Sequence, residues 1–154
     1  MTDVETRLAT LGLSLPDAPA PAANYVPYVI SGSHVWISGQ ISRDAQGGLI
    51  TGKLGAELDV AQGAAAAQAC ALAILAQLRA AVGGDWSRVA RAVKLVGFVN
   101  STADFTDQPK VVNGASDLLV AALGDAGRHA RSAVSAVSLP LGVAVEAEAV
   151  FELK

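Results

Sequence analysis

The sequence predicts one α+β domain in which a single sheet carries two helices on one face. Five runs rich in Val and Ile, at residues 25–30, 34–41, 89–99, 131–137 and 143–151, read as strands. Two apolar stretches with helical spacing, residues 60–82 and 104–123, fall between them. The 154 residues are the length of one domain.

Each element follows from its local pattern. Residues 2–13 form an amphipathic helix with Val4, Leu8 and Leu11 on one stripe, Thr2 as cap and Gly12 as stop. Pro16, Pro19 and Pro21 then mark an extended linker, so residues 1–23 are an arm leading into the domain at 24–154. The first two strands flank Gly32 and read as a hairpin. A turn at 45–48 and a short strand at 49–51 follow. Asp59 caps the long helix, whose Ala67, Ala71, Ile74, Leu75, Leu78 and Val82 face the sheet, and Gly83-Gly84 ends it. Pro109 breaks or restarts the second helical region. In the last strand Val143, Val145, Ala147, Ala149 and Phe151 alternate with Ala144, Glu146, Glu148 and Glu152. The four residues 139–142 join the last two strands, which are expected to lie side by side and antiparallel.

Composition narrows the function. The chain is 52% apolar and 16% charged, with a mean hydropathy of +0.42. Much of the apolar share is alanine, which implies a core of closely packed backbones. So few charges on a small domain favour an oligomer, whose other subunits would cover the bare face of the sheet. A net charge of −3 without a basic run argues against nucleic acid. Cys70 is the one cysteine, expected as inert core in a reducing compartment. The N-terminal residues lack the basic and apolar regions of a signal peptide, so a cytoplasmic protein is expected. Residues 60–78 carry no charge over a length that could cross a membrane. Gln62, Gln68, Gln77 and the many alanines make it a buried helix of a soluble protein instead. Two histidines and a mid-helix cysteine have no metal-ligand spacing, so no metal site is expected.

The chemistry-bearing residues cluster toward the C-terminus. Arg131 opens one strand, and Glu146 and Glu148 share a face of the next. An arginine fork can grip a carboxylate through two parallel hydrogen bonds. A nearby glutamate can position and deprotonate water. The same spacing also fits a cross-strand ion pair on a solvated face. His129 either borders such a pocket or makes a loop hydrogen bond, and His34 sits on the surface beside the hairpin turn.

The segments Ala130-Arg-Ser-x-Val134, Leu139-Pro140 and Val145-Glu146-x-Glu148 resemble the RidA family of reactive-intermediate deaminases, also called YjgF-type or L-PSP proteins. Ile37-Ser38-Gly39-Gln40, Asp104-Phe105 and Val112-Asn113 resemble further family motifs, and the similarity runs over residues 25–153. The resemblance implies a chorismate-mutase-like fold of the bacillary type, with one mixed sheet and two helices on one face, closing as a homotrimeric barrel. It implies hydrolytic deamination of a small 2-imino acid or enamine to a 2-keto acid and ammonia, without cofactor. Arg131 would grip the carboxylate and Glu146 orient the water, while Tyr25, Ser38, Gly39, Asn113 and Ala133 would line the cleft. The partners it implies are a small carboxylate metabolite and two further copies of the chain. The alternative is a non-catalytic trimer that binds a small carboxylate and regulates another protein. Three features depart from the family pattern. Asn24-Tyr-Val-Pro27 stands where deaminases carry Gly-Pro-Tyr-Ser, so Tyr28 competes with Tyr25 for its place. Residues 107–110 form a surplus, and the N-terminal helix is additional.

Overall fold

The computed structural model describes residues 3–21 and 23–154, so the expected cap at Thr2 lies outside the described residues. The order of elements is α1 (Asp3–Thr10), β1 (Tyr28–Ser31), β2 (His34–Ile41), α2 (Val60–Ala81), β3 (Val89–Asn100), α3 (Gln108–Leu123), β4 (Ala130–Ala136) and β5 (Val145–Leu153). The five strands form one mixed sheet in the order β1-β2-β5-β3-β4. Helices α2 and α3 cover one face of it.

Helix α2 begins with a reciprocal cap, in which Gln62 N donates to Asp59 Oδ1 at 2.8 Å and Asp59 N donates to Gln62 Oε1 at 2.9 Å. Its length and hydropathy would suit a membrane span. In this fold it is the core helix, with Cys70, Ile74, Leu75 and Leu78 fully buried. Cys70 packs under β5, and burial drives its thiol pKa up, as expected of an inert core cysteine.

The alanine-rich composition is expressed in how α2 and α3 meet. A Cβ on Gly114 would collide with the backbone carbonyl of Ala64, and one on Gly63 would crowd Leu54 and Val111. Backbones this close exclude side chains between them. Helix α3 starts at Gln108, four residues later than the pattern suggests, with Pro109 in its first turn. There the missing N–H has no acceptor to lose, so the proline starts the helix instead of breaking it. Asp104 lies in the preceding loop and accepts from Thr102 Oγ1 at 2.7 Å.

Strand β1 starts at Tyr28, not at Tyr25, because Pro27 has no N–H for the ladder. The segment expected as a short strand at 49–51 makes only single bridges, Arg43 to Leu49 and Thr51 to Val143. The arm is part of the fold. Val4 and Leu8 of α1 join the core, Arg7 Nη1 donates to Ala122 O at 3.3 Å, and Gln77 Nε2 donates to Pro19 O at 2.6 Å.

The expected β4–β5 hairpin does not form. Strand β4 lies on the sheet's edge, parallel to β3, and β5 inserts between β2 and β3, antiparallel to both. The connector carries Pro140 and a left-handed Leu141 (φ 59°) in place of a two-residue hairpin turn. It steps across the end of β3, a distance of about 10 Å, or two strand spacings. Buried Asn100 pins the crossing: its Nδ2 donates to Val143 O at 3.1 Å, and its Oδ1 accepts from Lys53 Nζ at 2.6 Å. Placed centrally, β5 buries Val145, Ala147, Ala149, Phe151 and Leu153 beneath the helices.

The opposite face of the sheet is apolar and open in the single chain. Trp36 is 55% exposed, with Val29 and Val134 nearly as open. Lys94 and Glu148 stand among them.

The contact at Gly114 yields a stability prediction. Replacing it with alanine forces apart two backbones that cannot yield like a side chain. We expect a loss of about 3 kcal/mol, or roughly 6–12 °C in Tm, by thermal unfolding. A melting curve overlying that of the unaltered chain would show that the helices part at no cost.

Candidate functional site

The residues singled out in the sequence fall into two groups. The first surrounds Arg131 on edge strand β4. In register, Arg131 lies opposite Leu95 of β3, which is fully buried under the helices. Arg131 therefore rises on the helical side of the sheet. Its Nη1 donates to Asn113 Oδ1 at 2.9 Å and to Ser116 Oγ at 3.1 Å, and its Nη2 donates to Pro109 O at 3.2 Å. All three acceptors are neutral and belong to the first turns of α3. The surplus residues 107–110 thus supply one of the acceptors that aim this side chain. No Asp or Glu among the described residues forms an ion pair with Arg131. A guanidinium has five N–H groups. The Nε–H and one of the two Nη2–H groups have no partner among the described residues, which leaves donors along the Nε–Nη2 edge of the fork for a ligand. A positive charge with an open bidentate edge is an anion-binding element. Ala133, two residues on, is half-buried on the same face of β4.

The second group surrounds Glu146 on β5. Glu146 pairs with Phe98 on one side and Ile41 on the other. Gly97 faces α3, since a Cβ there would meet Val112, so Phe98 and Glu146 point away from the helices. A Cβ on Gly39 would run into Glu146 Oε1, so the absent side chain at Gly39 makes room for the carboxylate. Tyr25, Gly39, Gln40, Arg43, Pro140 and Glu146 line a cavity of about 510 Å³, closed on one side by Pro19 and Pro21 of the arm. Ser38 fastens the wall: its Oγ donates to Val26 O at 2.7 Å, and its N donates to Pro27 O at 2.9 Å. Tyr25 lies at the cavity, whereas Tyr28 packs against the core. Desolvation by burial pushes the Glu146 carboxyl above the ordinary carboxylate range, and the charge on Glu148 adds to it.

The expectation that Arg131 and Glu146 adjoin across a hairpin is corrected by the topology. Strand β3 stands between their strands, and the two side chains leave opposite faces of the sheet. Neither an ion pair nor a shared pocket is possible between them within one chain. Glu148, in register with Val96, lies on the same face as Glu146 and is exposed.

One residue beside Arg131, Ser116, had no assigned part in the sequence analysis. Ser116 follows Asn113 by three residues, a spacing that places both on one helical face, and that period was the available signal. His129 makes the loop hydrogen bond that was one of its two readings, to Gly127 O at 2.6 Å, and also meets Ser116 Oγ at 3.0 Å. His34 is half-buried and pairs with Glu152 across the β2–β5 ladder. Among the described residues no three His, Cys, Asp or Glu side chains converge as a metal site would require.

Comparison with known proteins is consistent over the whole chain. The profile of a family described as "YjgF/chorismate_mutase-like, putative endoribonuclease" matches residues 5–150. Protein TCP17 of Trypanosoma cruzi is 52% identical over 151 residues, which cover 97% of this chain and 94% of that protein. Atu1372 of Agrobacterium tumefaciens, a crystal structure of unknown function, superposes with a TM-score of 0.92 at 45% identity, covering 99% and 93% of the two chains. Escherichia coli TdcF, solved with bound serine, superposes with a TM-score of 0.63 at 25% identity, covering 88% and 92%. By profile, sequence and fold, the chain belongs to the YjgF/chorismate mutase-like family.

Proposed function

We propose that the chain hydrolyses a small 2-imino acid, or the related enamine, to a 2-keto acid and ammonia in a cleft between copies of a homotrimer. The observation that carries this reading is the Arg131 guanidinium, held by three neutral acceptors with one edge of its fork open. A carboxylate fits that edge through two charge-assisted hydrogen bonds. Bound serine in TdcF is a ligand of that kind, an amino acid with its carboxylate. The apolar outer face with Trp36, Val29 and Val134 supplies the surface that an oligomer would bury.

Arg131 and Glu146 lie on opposite faces, so a complete site draws them from different copies. Arg131 of one copy fixes the substrate carboxylate beside the unpaired edge of β4. Glu146 of the neighbouring copy takes a proton from water as the oxygen attacks the imine carbon, and returns a proton to nitrogen. Collapse of the tetrahedral intermediate expels ammonia and leaves the carbonyl. An imine is already electrophilic, so orientation and one proton relay suffice. A carboxyl raised by burial is a better base for this step than an exposed one. Tyr25, Gly39 and Ser38 form the wall on the Glu146 side, and Asn113 and Ala133 that on the Arg131 side.

Three measurements test this reading. With iminopyruvate generated by an amino-acid oxidase, Arg131→Ala should lower kcat/KM about 100-fold, the worth of a charge-assisted bidentate contact. Equal decay with both proteins would overturn the reading, whereas keto-acid binding without turnover would favour the regulatory trimer. Arg131→Ala and Glu146→Gln should each lose most of the activity alone. Refolded together at equal amounts they should regain activity in about a quarter of the sites, as random assembly of a ring requires. Recovery of nothing would place both residues in one copy's site.

The raised carboxyl also sets a pH dependence. Folding is penalised by the Glu146 charge, and the penalty is complete only above the raised folded-state pKa. It fades as pH falls through that value toward the ordinary 4.5. Glu146→Gln should therefore raise Tm at neutral pH, with the gain disappearing under acid conditions. A gain that is constant with pH would show that the charge is not its source.

A further inference from the structure

Arg131 is connected through Ser116 to His129, and the direction of every proton in that chain is determined by one carbonyl. His129 Nδ1 lies 2.6 Å from Gly127 O, which can only accept, so Nδ1 carries the hydrogen. In the neutral imidazole Nε2 is then an acceptor, and it lies 3.0 Å from Ser116 Oγ. Ser116 therefore donates its hydroxyl hydrogen to His129. Its lone pairs are left facing Arg131 Nη1 at 3.1 Å, and a guanidinium can only donate. The network is consistent at each step: Arg131 N–H to Ser116 Oγ, Ser116 O–H to His129 Nε2, His129 Nδ1–H to Gly127 O.

Gly127 is itself held. It is buried in the short turn after α3, and a Cβ there would strike the backbone carbonyl of Leu119. Its position is therefore tied to the last turns of α3, while Asn113 lies in that helix's second turn and Ser116 at its middle. The guanidinium is held directly by Pro109, Asn113 and Ser116 of α3, and through Ser116 and His129 it is linked to the turn that follows the same helix. Without the His129 acceptor the Ser116 hydroxyl would be free to rotate and present its hydrogen toward Arg131, replacing an attraction with a repulsion.

We infer that Ser116 and His129 are positioning residues for the carboxylate-binding arginine: His129, in its Nδ1–H tautomer, orients the Ser116 hydroxyl so that it holds Arg131 with its fork edge open. Neither side chain is needed to touch the ligand. The inference rests on the carboxylate-binding reading of Arg131 for its functional consequence. The hydrogen-bond chain itself is independent of that reading.

The experiment uses the full chain, 15N-labelled, with 2-ketobutyrate as the probe anion. The imidazole nitrogens of His129 should report hydrogen on Nδ1 and a bare Nε2, and Ser116→Ala should shift the Nε2 resonance. Ser116→Ala should weaken 2-ketobutyrate binding about fivefold, the worth of one net hydrogen bond. It should raise KM for the imine while kcat stays within about twofold. Ser116→Thr, which keeps the hydroxyl, should restore both. His129→Phe should match Ser116→Ala, and the double variant should be no worse than either, because the two act through one contact. An Nε2–H tautomer, additive losses, or an unchanged Kd in Ser116→Ala would each overturn the inference. If the unaltered protein fails to bind 2-ketobutyrate, the carboxylate reading fails. The relay is then judged by the tautomer and its response to Ser116→Ala, which need no ligand.

Discussion

Helix α3 approaches α2 so closely at Gly114 that no side chain fits between that residue and the Ala64 carbonyl. The residue before Gly114 is Asn113, and two residues after it comes Ser116. Both accept from Arg131. The depth at which α3 seats on α2 therefore fixes where the arginine's acceptors stand. A larger residue at the crossing would raise α3 and carry those acceptors with it. The glycine at this crossing thus serves more than compactness, because it sets the position of the two residues of its own helix that hold a charged group.

The sheet separates Arg131 from Glu146. Strand β5 occupies the centre because its alternate residues fill the space beneath the helices, and this displaces β4 to the edge. An edge strand has unpaired backbone groups and side chains within reach of another copy. A glutamate on the opposite face, beside a cavity walled by the N-terminal arm, is likewise accessible from outside. A chain arranged in this way cannot bring Arg131 and Glu146 into one pocket by itself. The low charge content and the open apolar face belong to the same design, since both suit a subunit more than a monomer.

The two charged groups are maintained differently. Arg131 is held by neutral acceptors that orient it without pairing with an acidic side chain. Glu146 sits in surroundings that resist its ionisation, against a glycine that leaves room for its carboxylate. A salt bridge between them would have occupied both. Separation across the sheet leaves each available to a ligand.

Much of this was legible in the primary sequence. Strand and helix periods, the Asp59 cap, the glycine stops and the buried character of the long helix all follow from local pattern, because backbone geometry forces those patterns. The motif residues around Arg131 and Glu146 were enough to suggest the family. Three matters were decided only by tertiary structure. Insertion of β5 between β2 and β3 depends on how the whole sheet fills the space under two helices, which a short connector cannot encode. The start of α3 at Gln108 was one of the two readings open at Pro109, and only the fold shows that the proline sits in a first turn, where its missing N–H costs nothing. The part inferred for Ser116 and His129 arises because residues 13 apart come into contact beside one arginine. Local sequence specifies which way a side chain points from its own backbone, but a proximity between distant residues exists only after the chain has packed.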